Sequence, residues 1–189
     1  MSIGKYVRHT LTLLSKPSAL YTTREVVVYA PDMYGRPYGI GADPTAGIAF
    51  NDPYWSFAAD ADQGVCAMVK LPEDRVKGTS VKFYLEFGIP TGPGGGTIMW
   101  RLDRLVRGYG NMYNVVPTQS FLPTVSNSSY RITRTAKLEV PAWEVDYQHA
   151  LGQPVEFFLG IIRQGTHTDD TETVEAHLHK LVMEYQSYY

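Results

Sequence analysis

The sequence predicts an all-β fold, a jelly-roll β-sandwich with an extended N-terminal arm. Three observations carry that expectation. Apolar residues recur with period two from about residue 64 onward, turn-rich segments separate the runs, and 14 of the 189 residues are tyrosine. Period two sends alternate side chains to opposite faces of a strand, and tyrosine suits strands and interfaces alike.

Residues 1–54 form the expected arm, with the sandwich over residues 55–189. Pro31, Pro37, Pro44 and Pro53 are interleaved with Gly35, Gly39, Gly41 and Gly47. Proline at that density excludes continuous helix and removes ladder donors. The same stretch holds Tyr34, Tyr38, Phe50, Tyr54, Trp55 and Phe57, whereas disordered chains are poor in aromatics. An ordered arm is therefore expected, docked on its own sandwich or on a neighbouring subunit. Tyr34, Tyr38, Phe50, Tyr54 and Trp55 are the candidate interface residues. Residues 26–29 predict a short strand, and residues 11–20 a short helical piece.

In the sandwich, Val65, Ala67, Val69 and Leu71 alternate with Cys66, Met68 and Lys70. Val81, Phe83, Leu85 and Phe87 alternate with Lys82, Tyr84 and Glu86, the cleanest strand pattern in the chain. Further runs follow over residues 98–103 and 131–140. Residues 155–162 are apolar on both faces, as in a central strand, and residues 174–185 predict a long closing strand. Residues 88–96, with Gly94, Gly95 and Gly96 as a hairpin tip, form a loop that no helix survives. Residues 108–111, 125–129, 152–154 and 165–171 supply the other turns, and residues 143–151 predict a turn or two of helix. About eight or nine strands result, and eight is the jelly-roll number. An immunoglobulin-type sandwich is the rival, but the Cys…Trp…Cys pattern of antibody-like domains is absent.

Composition bounds the function. Lys plus Arg is 17 against 19 for Asp plus Glu, a net charge of −2. That leaves no basic excess for nucleic acid, and Arg101, Arg104 and Arg107 read as a solvated strand face. The single cysteine, Cys66, precludes an intrachain disulfide and reads as a buried, inert thiol, as expected for assembly in a reducing cytoplasm. No signal peptide and no membrane span are expected, because no apolar run approaches ~18 residues.

No nucleophile elbow or Walker loop is present, and no enzyme activity and no cofactor are expected. Glu175, His177 and His179 share one face of a predicted strand and are weak candidates for a metal site. Asp169 and Asp170 could offer oxygen ligands to calcium. Asp60, Asp62, Glu86 and Asp103 are candidates for a glycosidase pair by residue type alone. Trp55, Trp143, Tyr109 and Tyr113, in or beside loops, could stack on sugars, but more often such aromatics cover core edges or interfaces.

The order of strands resembles a recurring β-sandwich module of tailed-phage virion proteins, over roughly residues 55 to 186. The likeness runs from Trp55-Ser56-Phe57 through strands at 65–72 and 80–87, and a Gly-rich hairpin into 97–102. It is strongest in residues 154–163, ending at Arg163, followed by an Asp-Asp-Thr loop and a closing strand that ends in Glu184-Tyr185. The resemblance implies a jelly roll that often trimerises in virions, as a capsid decoration (cement) protein or a piece of a head or tail fibre. The implied partners are the major capsid protein and copies of the chain itself, with a host glycan as the partner in the fibre case. The aromatic arm departs from that module, and a free-standing chain with such an arm suits decoration better.

Overall fold

The computed structural model describes residues 21–35, 42–49, 52–108, 118–150 and 155–188. The helical piece expected within residues 11–20, together with Tyr38, Phe50, Tyr109 and Tyr113, lies outside them. Among the described residues the strands are β1 (Tyr21–Tyr29), β2 (Thr45–Ala49), β3 (Asp52–Phe57), β4 (Asp62–Lys70), β5 (Val81–Gly88) and β6 (Thr97–Gly108). They continue with β7 (Thr118–Val125), β8 (Thr133–Arg134), β9 (Leu138–Val140), β10 (Val155–Gln164) and β11 (Ala176–Tyr188). Among the described residues one α-helix, α1 (Ala142–Ala150), precedes β10, and a 3-10 turn, Ala30–Asp32, follows β1.

The chain folds as an antiparallel jelly-roll β-sandwich. The larger sheet runs β2-β3-β11-β5-β8, with β1 also on β11 and β9 also on β5. The smaller sheet runs β4-β10-β6-β7. β11 is the spine of the larger sheet. One of its edges takes β3 at residues 176–178 and β1 at residues 180–188, while its other edge takes β5.

Period two places the core as expected. Val81, Phe83, Leu85 and Phe87 from one sheet meet Ile98, Trp100, Leu102, Phe157, Leu159 and Ile161 from the other, all buried. The two sheets are joined by edge-on aromatic contacts, Phe83 to Phe157 at 5.0 Å and Phe57 to Trp100 at 5.2 Å between centroids. The polar face of β5 is covered as well. Tyr84 donates to Glu25 of β1 at 3.1 Å, and burial together with that carboxylate pushes its phenol up to about 12.

Several expectations change. β1, β2 and β3 are built into the larger sheet: β1 pairs with β11 over nine residues, and residue 54, the limit expected for the arm, lies inside β3. The expected strand over 131–140 is two short strands, because Thr135 Oγ1 accepts the Leu85 amide and interrupts the ladder. β7 had no sequence signal, since it is an edge strand that buries Leu122 and carries Pro123. Cys66 is half-buried and not buried, with its thiol raised by burial and by Asp103. Arg104 is buried against Glu144 of α1, and Arg101 is chelated by Asp103, so they do not form a solvated basic face.

One buried ion pair locks the end of the sandwich. Arg163 on β10 and Asp170 in the following loop are both 0% exposed. The guanidinium gives Nε and Nη2 to the two carboxylate oxygens and its remaining hydrogens to the carbonyls of Phe57, Glu172 and Val174. All five donors are used. Asp170 also accepts the Met99 amide at 3.0 Å. Asp170 is thereby committed to Arg163 and is not the calcium ligand that its acidic neighbour Asp169 suggested.

Arg163→Met leaves a buried carboxylate unpaired and should cost about 3–5 kcal/mol. Asp170→Leu in the same chain should not restore the loss, because three carbonyls still lack a donor. Urea denaturation of the single and double variants reads both outcomes.

Candidate functional site

The site lies on the outer face of the larger sheet, where β3 and β11 meet the loops after β5 and before β8. A cavity of about 420 Å³ is lined by Asp52, Tyr54, Gly88, Ile89, Pro90, Tyr130, Ile132, Glu175, His177 and His179. Its floor is strand backbone and its rim is loop.

A bulge in β11 builds the floor. Leu178 pairs with Phe87 and Lys180 with Glu86, so His179 is skipped on the β5 side. On the opposite edge β3 ends at Leu178 and β1 begins at Lys180, so His179 belongs to neither ladder. Alternation puts His177 and His179 both on the cavity side, and the extra residue lets Leu178 and Leu181, three apart, both return to the core.

Tyr54 is set by a glycine. A side chain on Gly47, its cross-strand partner in β2, would lie 2.5 Å from the tyrosine ring, so only glycine allows the ring to lean there. The ring then stacks on His177 with centroids 3.8 Å apart and an 11° tilt. His177 Nε2 lies 3.0 Å from Glu175 Oε1, and an ionised carboxylate only accepts, which places the proton on Nε2. Glu175 also accepts from Ser56 Oγ, and these bonds, that of Ser56 first, hold its carboxyl below the usual range. His179 Nδ1 lies 2.9 Å from Asp52 Oδ2, off the line a hydrogen bond requires. Desolvation holds this imidazole below its ordinary value, against the opposing pull of Asp52.

The rim is held rigid. Tyr130 is 70% exposed and is the non-glycine residue with positive φ among those described, at 63°. Its amide donates to Ile89 at 3.0 Å, and the Ser129 amide to Gly92 at 3.0 Å, clamping the loop in place. Gly94, at φ 73°, completes the clamp, because a side chain there would meet Asn127 O at 2.3 Å.

The structure therefore brings Glu175, His177 and His179 to one cavity, as the face argument expected, with Tyr54 beside them. It does not make them metal ligands: among the described residues no group of three His, Cys, Asp or Glu is arranged to hold an ion. Glu175 and His177 engage each other instead, and His179 lies beside Asp52. The acids considered for glycoside hydrolysis are dispersed. Asp62 accepts from Thr166, Glu86 is paired with Arg134 and Lys180 on the larger sheet, and Asp103 binds Arg101 on the smaller one. Trp55 is half-buried and donates to Ala30 O at 2.8 Å, whereas Trp143 is 72% exposed on α1, away from the cavity. Sequence reasoning missed Asp52, Tyr130 and Ile132. The slipped phase of Leu178, Leu181 and Met183 was the one signal for the bulge.

No family model matches the chain, and no curated protein does. Among solved structures, a Bacillus thuringiensis Cry1Da tryptic core variant aligns at a TM-score of 0.46 and 7% identity, covering 85% of this chain and 23% of that one. The xylan-binding module CBM15 aligns at 0.41 and 8%, covering 86% and 97%. The CBM2 module of the evolved Dit of Lactobacillus casei BL23 phage J-1 aligns at 0.36 and 9%, covering 93% of each chain. This chain thus spans under a quarter of the Cry1Da chain. Likeness at this level carries no function from those proteins to this one. Among the described residues no helix is long and apolar enough to cross a membrane.

A histidine whose folded-state pKa lies below its unfolded value is protonated first in the unfolded chain, so stability falls as pH drops below 6.5 toward the folded value. The denaturation midpoint should decline through that window, and His179→Gln should flatten the decline. A urea series across roughly pH 5–8 checks it.

Proposed function

We propose that this chain is a non-enzymatic structural protein of a tailed-phage particle, a capsid decoration protein that binds the head lattice and copies of itself, as a homotrimer. The observation that carries the reading is an apolar groove beside an open sheet edge. β2 ends the larger sheet, and Ile48 on it is 74% exposed. Next to it Ala30, Pro31, Ala46, Pro53 and Trp55 line a cavity of about 330 Å³. Such a strip, left bare on one chain, is the kind of surface a neighbouring subunit covers. Tyr34, 52% exposed where it pairs with Cys66 on β4, adds an exposed aromatic at the edge of the smaller sheet.

The strand order that resembles tailed-phage virion modules supports the same reading, and its strongest stretch now has a physical basis. The terminal arginine of β10 and the Asp-Asp-Thr loop after it are the two halves of the buried Arg163–Asp170 lock. This groove, poor in polar groups, suits an apolar protein surface better than a glycan.

Mass spectrometry of purified particles should find the chain, at a copy number that follows the head lattice. Ile48→Glu should leave thermal unfolding unchanged and lower incorporation by about tenfold. Absence of the parent chain from particles would remove the proposal.

A further inference from the structure

The cavity on the outer face of the larger sheet is separate from the β2 groove in chemistry, and it has no role in the decoration reading. We infer that it is a binding site for a neutral saccharide, one or two sugar rings in size.

The lining has two kinds of surface. Ile89, Pro90, Ile132 and the exposed Tyr130 ring are apolar, and Asp52 and Glu175 are half-exposed carboxylates. A sugar ring presents the same pair of chemistries, apolar C–H faces and a belt of hydroxyl donors. Tyr130 is placed for the faces. Tyr54 is not, because His177 covers one side of its ring and the ring leans over Gly47. The hydroxyls would donate to Asp52 and Glu175, which only accept when ionised. Hydrogen bonds to charged groups are the stronger ones. Glu175 is already oriented by Ser56 and His177 before any ligand arrives, and Asp52 is carried on β3 beside His179.

Other ligand classes fit less well. Two carboxylates with no lysine or arginine among the described lining residues repel phosphates and uronic acids. A purely apolar ligand would strip water from both carboxylates without replacing it. A bound metal ion lacks its ligand set. The size suits the class as well, since about 420 Å³ falls within the range of small-ligand sites.

The rim is built for recognition. Tyr130 holds a left-handed backbone conformation that a non-glycine residue adopts at a cost, fixed by the Ile89 and Ser128 carbonyls on either side of it. From that backbone the 70% exposed Tyr130 side chain lines the cavity and stays out of the core.

Titration of the full chain with N-acetylglucosamine, glucose, galactose and their oligosaccharides, followed by NMR of the imidazole signals, tests the inference. At least one neutral sugar should shift the His177 and His179 resonances. Tyr130→Asn removes the ring and keeps a side chain that tolerates positive φ, so the fold survives. It should weaken binding about tenfold or more, and Glu175→Gln likewise. Trp143→Ala, away from the cavity, should bind as the parent does, and galacturonic acid should not bind. The inference is overturned if no neutral sugar shifts those resonances, if both cavity variants bind as the parent does, or if galacturonic acid binds equally well. None of these outcomes bears on presence in the particle, so the two readings fail separately.

Discussion

The sandwich depends most on a single arginine in its interior. Arg163 leaves β10 in the smaller sheet and reaches backbone carbonyls that belong to the larger one, at Phe57 of β3 and in the approach to β11. Burying a guanidinium is costly, and the cost is offset only when a carboxylate pairs with it and every donor is used. Both conditions hold here. Asp170 in turn accepts the Met99 amide, and Thr97 accepts the amides of Thr171 and Glu172. The long loop before β11 is therefore fastened to both sheets, which fixes where β11 begins.

That starting point sets the site. β11 is shared by β3, β1 and β5, and the shift at His179 falls where the neighbour on one edge changes. Alternation already turns both histidines outward within reach of Asp52 and Glu175, and the shift keeps the apolar residues on both sides of it, Leu178 and Leu181, in the core. Two carboxylate–imidazole contacts then order the floor of a cavity that the loops at 88–92 and 126–132 enclose.

Much of the fold was legible from local pattern. The strand at 81–87 was readable because each buried residue sits two from the next, and the closing strand because its apolar content runs over many residues. The short helix expected over 143–151 is present as α1, but residues 94–96 are not the expected hairpin tip, because β5 lies in the larger sheet and β6 in the smaller, so the segment between them crosses from sheet to sheet. β7 was not, since an edge strand burying little more than Leu122 leaves no period to read. The break between β8 and β9 was not, because it depends on Thr135 meeting the Leu85 amide from a distant segment. Placing Arg101 and Arg104 on a solvated face failed for the same reason, as their carboxylate partners come from the pairing of elements and not from their neighbours in the chain.

The sequence by itself determined the fold class, most strand positions, and the shared outward face of Glu175, His177 and His179, because alternation and turn chemistry are local properties. Only the tertiary structure decided that β1, β2 and β3 join the larger sheet, that Asp170 serves Arg163, and that Asp52 and Tyr130 close the cavity. Each of those depends on which distant segments meet. Cross-sheet burial and backbone hydrogen bonding select those partners, and neither leaves a period in the chain.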